Sequence, residues 1–239
     1  MEKRKFLFEE INKIEISLSE EQINQFLIYY DLLVEWNSFM NLTGITEFEE
    51  VVIKHFVDSL TLVKAINLDG DFSLIDIGTG AGFPGLPLKI AFPHLQVTLL
   101  DSLQKRINFL DEVIDKLGLT GINTIHGRAE DFAKPDKLRE SYDLCVSRAV
   151  ANLSILSEYC LPFVKLDGSF ISYKSEKLSE ELKEAKKAIF ILGGKIINQI
   201  DFSLNEGNIY RNLVIIKKVQ KTPKQYPRKS GTASKKPIC

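Results

Sequence analysis

The chain has 239 residues, 31 basic against 32 acidic and 44% hydrophobic, an ordinary composition for a soluble protein of one to two domains with room for a full α/β core. No apolar run approaches the roughly 18 residues a membrane helix needs, and the first ten residues reach acids too early for a secretory signal, so a cytoplasmic location and no membrane partner are expected. Three cysteines, Cys145, Cys160 and Cys239, share no metal-binding spacing and are odd in number, which predicts neither disulfides nor a zinc site.

In chain order, residues 3–15 can form a short helix. A stronger start comes at Ser19, where the hydroxyl can cap while Gln22 reaches back as the third helical position. Ile23, Phe26, Leu27, Tyr30, Leu33 and Val34 then recur at helical spacing as far as Trp36-Asn37. After the polar Asn41-Leu42-Thr43-Gly44 turn a second amphipathic helix is expected from about Glu47, with Val51, Val52, Phe56, Leu60 and Val63 on its apolar side. Residues 1–66 thus read as a helical segment packed on the core.

From Ser73 the pattern changes to short apolar strands alternating with helices, the sign of a parallel sheet wound with crossovers. Strands are expected at 73–77, 96–100, 122–126, 142–147 and 169–174, with helices near 84–92, 103–117, 152–163 and 176–192. Lys195–Phe202 and Arg211–Val219 are joined by a link too short for a crossover helix, which predicts an antiparallel hairpin. Residues 67–219 form the expected Rossmann-like domain, and 220–239, rich in Lys, Pro and Ser, read as a basic flexible tail. From Gly207 onward there are nine Lys or Arg and no acid, so all 32 acids precede it; a basic end on an acidic body points to a polyanion partner.

The first strand runs into Gly78-Thr79-Gly80-Ala81-Gly82-Phe83-Pro84-Gly85. Glycines allow positive φ and close approach of a ligand, and Pro84 suits a helix start whose free N–H groups face that ligand. Asp101 closes the second strand about twenty residues past the glycines, where a ribose diol is held. NAD enzymes and S-adenosylmethionine enzymes share this pattern. The closing antiparallel hairpin is, by analogy with known folds, a mark of the S-adenosylmethionine-dependent methyltransferases, and a dehydrogenase would also need a substrate domain. The fold expected is therefore α/β, a doubly wound, mostly parallel seven-stranded sheet of the methyltransferase type with an N-terminal helical extension.

Two further stretches fall at the carboxyl ends of strands, where ligands of open α/β sheets bind. Gly127-Arg128-Ala129-Glu130-Asp131 can offer a backbone N–H and a carboxylate to an adenine edge. Ser147-Arg148-Ala149-Val150-Ala151 comes after the fourth strand; a surface arginine paired with a carboxylate is the plainer reading of Arg148. His55, a single histidine on an apolar helix, reads as a packed or capping residue before it reads as a base.

These residues resemble one family over nearly the whole chain: the bacterial small-subunit ribosomal RNA guanine-N7 methyltransferases, also called the glucose-inhibited division protein B family. The resemblance is carried by Trp36-Asn37 with Asn41-Leu42-Thr43, His55 with Asp58-Ser59, the glycine loop, Asp101-Ser102 with Lys105-Arg106, Arg128-Ala129-Glu130, Ser147-Arg148-Ala149 and Tyr226-Pro227-Arg228-Lys229-Ser230-Gly231. It implies that S-adenosylmethionine contacts Gly78, Phe83, Ala129, Glu130 and Arg148, and that the target is a guanine in the decoding-region hairpin of 16S ribosomal RNA. With Gly80, Gly82, Asp101 and Ser102 these complete the expected cofactor site. Arg128, Lys174, Arg228 and Lys229 are the expected RNA contacts. No catalytic acid or base is assigned, because guanine N7 carries a lone pair and no proton at neutral pH. No metal is expected, and the chain is expected to act as a monomer on ribosomal RNA or a small-subunit particle. A non-catalytic nucleotide-sensing RNA-binding module is the alternative from another class.

Overall fold

The computed structural model describes residues 2–148, 151–175, 178–205 and 207–238. Helices α1 (Glu2–Asn12) and α2 (Glu20–Met40) come first, and α2 opens on the expected capping box, with Ser19 Oγ accepting from Gln22 N while Gln22 Oε1 accepts from Ser19 N. The second amphipathic segment is broken up: α3 (Phe48–Val51), a π-helical stretch (Val52–Val57), α4 (Asp58–Leu60) and a 3-10 turn (Thr61–Lys64). A π stretch inserts extra backbone into a helical turn, so residues beyond it leave the register of an ordinary helix. It lies where His55 and Asp58 turn toward a common partner, Arg148.

Strands β1 (Ser73–Ile77), β2 (Gln96–Asp101), β3 (Ile122–His126), β4 (Tyr142–Arg148), β5 (Val164–Lys174), β6 (Gly194–Leu204) and β7 (Ile209–Lys218) form one sheet in the order 3-2-1-4-5-7-6. Neighbours from β3 to β5 are parallel, and β7 runs antiparallel to both β5 and β6, as the short hairpin link required. Strand β5 begins at Val164, earlier than expected. Asp167 adopts a left-handed φ of 63° within it, and pairing with β4 is interrupted there by a bulge, Tyr142 facing Val164 and Leu144 facing Ser169.

Side chains alternate between two cores, one on each face, as the period of two in a strand dictates. Leu74, Leu99, Leu144, Ile171 and Leu213 join Phe26, Tyr29, Phe56 and, from α6 (Gln104–Lys116), Phe109 on one face. Ile75, Leu100, Cys145, Phe170 and Val214 pack on the other with Leu156 of α8 (Leu153–Cys160) and Ala188 of α9 (Ser179–Ile191). The N-terminal helices therefore share a core with the sheet. Burial of each large side chain contributes roughly 1.5–3 kcal/mol.

The end of the chain departs from a flexible tail. Ile238 packs into the second core, and Arg139 donates to the carbonyls of Tyr226 (2.6 Å) and Thr222. Lys, Pro and Ser look disordered by composition, but here Arg139 on the body pins the segment's own carbonyls. Of the expected elements, Ala149, Val150, Glu176 and Lys177 lie outside the described residues.

Candidate functional site

The glycine loop joins β1 to α5 (Gly85–Ala91), and Gly78, Gly80 and Gly82 have φ of 70°, 63° and 99°. At Gly80 there is open space where a side chain would begin: a Cβ there meets nothing within 4 Å, whereas at Gly82 it would lie 2.4 Å from Leu86 Cδ1 and 2.8 Å from Tyr29 Oη. So Gly80 makes room for a ligand and Gly82 makes room for the protein. Tyr29 reaches in from α2 to donate to the Ala81 carbonyl, and its ring lies 5.5 Å from that of Phe83.

The free helix N–H groups expected here are already engaged. Gly78 N and Thr79 N donate to Leu100 O, Gly80 N to Asp101 Oδ2 (2.9 Å), Gly82 N and Phe83 N to Thr79 O, and Gly85 N to Asp76 Oδ2 (2.9 Å). A loop with these donors taken cannot cradle a pyrophosphate, which needs several free N–H groups. It remains open to a nucleoside that carries no phosphate.

Around Gly80 the chain forms a cleft of about 510 Å³, lined by every residue of the expected cofactor site except Gly82, together with Arg128, Arg106, Thr43, His55 and Tyr159. Asp101 sits at its floor, accepting from Gly80 N, Leu103 N (3.0 Å) and Arg106 Nη1 (3.1 Å). It ties the glycine loop to β2. Arg106 is one-third exposed and can give up its place to a ribose diol without disturbing the backbone bonds.

A second cleft, also of about 510 Å³, shares His55 and Arg148 with the first and is lined by Lys54, Asp58, Tyr173, Lys174, Glu181 and Arg211. Arg148, at the end of β4, donates to Asp58 Oδ2 (2.9 Å), Lys54 O (2.9 Å) and His55 Nδ1 (3.2 Å), and its guanidinium lies 4.9 Å from the centre of the Phe83 ring. Asp58 is 2% exposed and binds Arg211 Nε through its other oxygen at 2.7 Å. The plain reading of Arg148, a guanidinium paired with a carboxylate, is thus correct as to the pair; but the pair is buried and divides two clefts.

His55 stacks on Phe83 with ring centres 4.5 Å apart. Its Nδ1 lies 3.2 Å from Arg148 Nη2 and 3.1 Å from Lys54 O, and its Nε2 lies 2.9 Å from Thr43 Oγ1. Burial, reinforced by the Arg148 charge, pushes its pKa down to about 3, so the ring is neutral at physiological pH. Such a group accepts a proton too weakly for a general base.

Of the expected RNA contacts, Arg128 stands exposed at the rim of the first cleft and Lys174 lines the second, donating to Ala151 O (2.9 Å) and Glu181 Oε1 (2.6 Å). Lys229 is exposed. Arg228 is not available: its backbone N (2.8 Å), Nε (2.9 Å) and Nη2 (2.6 Å) all bind the carboxylate of Glu158, which is 1% exposed. A buried carboxylate claims the nearest guanidinium because leaving the charge unpaired costs several kcal/mol.

Sequence reasoning missed Tyr29 and Arg211, and gave Asp58 no role. Tyr29 falls among ordinary apolar positions of an amphipathic helix, and Arg211 in a basic strand, so neither carries a local signal. Among the described residues there is no cluster of His, Cys, Asp or Glu able to hold a metal, and no helix long and apolar enough to cross a membrane.

A family model described as rRNA small subunit methyltransferase G matches residues 22–221. The chain is 54% identical to "Ribosomal RNA small subunit methyltransferase G" of Lachnoclostridium phytofermentans over 95% of this chain and 94% of that one, and 49% identical to the protein of the same name from Alkaliphilus metalliredigens over the full length of both. Among solved structures, TrmN from Thermus thermophilus superposes with a TM-score of 0.53 at 17% identity, covering 67% of this chain and 48% of that one. M. jannaschii TYW2 in complex with AdoMet gives 0.53 at 15% identity, covering 68% and 77%. At such identities these structures show the shared fold alone.

Proposed function

This chain belongs to the rRNA small subunit methyltransferase G family, and from that premise we propose that it moves a methyl group from S-adenosylmethionine to N7 of a guanine in the decoding-region hairpin of 16S ribosomal RNA. The observation that carries the reading is the meeting of two clefts at His55 and Arg148, both packed on Phe83. One suits a nucleoside without phosphate. The other is large enough for a base and lined by Lys54, Lys174 and Arg211.

The residues fit the cofactor: open space above Gly80, a carboxylate in Asp101 for a diol, and Ala129 and Glu130 at the far wall for an adenine edge. When bound, S-adenosylmethionine supplies a methyl group already activated on a sulfonium. The protein's part is alignment. Arg148 is held by three acceptors and cannot swing into the path, and the buried Asp58 fixes Arg148 and Arg211 at a set separation. Holding nucleophile and methyl in line can contribute on the order of 7–11 kcal/mol. N7 has no proton to lose, so the neutral His55 is left to pack and to orient Arg148.

We take the enzyme to act in the cytoplasm as a monomer, on ribosomal RNA or a small-subunit particle. Nuclease digestion and mass spectrometry of 16S RNA after incubation with enzyme and labelled cofactor tests the reaction. N7-methylguanosine in the decoding-region fragment is the expected product; a label on any other atom or no transfer to RNA would overturn it.

A further inference from the structure

The chain end does more than close the second core: it reaches the wall of the first cleft. Arg228 anchors to Glu158, and three residues on, Gly231 N donates to Glu130 Oε1 at 2.9 Å. Gly231 has φ +81° with nothing within 4 Å of a Cβ, so glycine is there for the backbone conformation that aims this N–H, not for space. A short helix, α10 (Thr232–Lys235), comes next, and Ser234 Oγ donates to the Gly231 carbonyl at 3.1 Å, closing the turn that aims the N–H. Tyr159 sits beside Glu158 on α8, and both Tyr159 and Glu130 line the first cleft. The second oxygen of Glu130 has no partner among the described residues.

We propose that residues 226–235 form a strap that sets the adenosine end of the cofactor site, with Gly231 positioning Glu130 and Ser234 holding the turn that aims Gly231. A nearly buried carboxylate on a loop of four helical residues, α7 (Ala129–Phe132), has little else to fix its rotamer. One charge-assisted hydrogen bond from a backbone that is itself pinned by a buried ion pair does so, and leaves the other oxygen for the ligand. Lys229 and Lys235 on the same strap, and Lys236 just beyond it, are exposed, so phosphates that engage them and a nucleoside that engages Glu130 act on one segment.

The inference rests on the first cleft binding S-adenosylmethionine, and the probe is its inert product, S-adenosylhomocysteine, measured by calorimetry on full-length chains. Gly231→Pro removes the N–H and, because proline's φ near −65° cannot reach +81°, also draws the strap away from Glu130; it is expected to weaken binding at least about tenfold, the worth of one hydrogen bond to a charged group. KM for S-adenosylmethionine rises while kcat holds. In a Glu130→Ala background the same substitution changes affinity less than about twofold, because the strap acts on the cofactor through Glu130. Ser234→Ala, at an exposed position, shifts affinity in the same direction by a smaller factor and tests the strap even if the proline variant fails to fold. Unchanged affinity in folded Gly231→Pro, or an equal loss in both backgrounds, would overturn the strap alone. If the unaltered chain did not bind S-adenosylhomocysteine, the cofactor reading would fall and the strap with it.

Discussion

Two glycines two positions apart in one loop answer to different neighbours, so their replacement separates ligand space from protein space. Gly80→Val places its side chain in the open cleft and is expected to abolish S-adenosylhomocysteine binding by calorimetry, at a backbone cost of about 1–2 kcal/mol for a left-handed φ. Gly82→Val meets Leu86 and Tyr29 instead, so its main loss should appear in the thermal midpoint. Asp58→Ala leaves Arg148 and Arg211 without their shared carboxylate; urea unfolding should report a loss of about 3 kcal/mol, and methyl transfer should fall with it. For His55, whose pKa is pushed down to about 3, the single-turnover rate should show no histidine titration between about pH 6 and 8, and His55→Ala should neither add nor remove one. A tenfold rise that vanished in the variant would make His55 the base.

The glycine loop depends on elements distant in sequence. Tyr29→Phe removes the one hydroxyl that α2 sends to the Ala81 carbonyl and is expected to cost about 1–3 kcal/mol, with cofactor affinity weakened as the loop loosens. Beneath the loop, β1 carries Asp76, fully buried, whose Oδ2 accepts from Thr79 Oγ1 and Gly85 N. Burial pushes its carboxyl up to about 7, outweighing those two bonds. A carboxyl raised in the folded state contributes stability that is complete below its unfolded value near 4 and is lost as pH climbs through about 7. Asp76→Asn should therefore gain on the parent in urea melts as pH rises from about 5 to about 8. His55 works with the opposite sign: its depressed pKa gives stability present above about 6.5 and lost as pH falls toward about 3.

Across the whole molecule the charges divide into those the fold uses and those left for a polyanion. Lys229, Lys235 and Lys236 are exposed, whereas Arg228 and Lys218 are held by buried acceptors. Replacing the three exposed lysines by Gln should reduce the log–log salt slope of RNA binding by about 2 to 3. Arg228→Gln should leave that slope nearly unchanged while lowering the thermal midpoint. An equal change of slope in both would mean that Arg228 leaves Glu158 to meet phosphate.

The strands, the hairpin, the glycine loop with Asp101 and the family itself were legible in the sequence because each is a local pattern: alternation of period two, a link too short for a helix, glycines at positions of positive φ, and contiguous motifs. What the sequence could not carry was pairing across the chain. Tyr29 meets Ala81, Asp58 meets Arg148 and Arg211, and Glu158 meets Arg228 only because the sheet brings remote segments together. Composition made the chain end look like a loose tail, yet buried acceptors on the body hold it in place. Whether a polar group serves a ligand or the fold is decided by which partner lies within about 3 Å once the core has formed, and that distance is a property of tertiary packing.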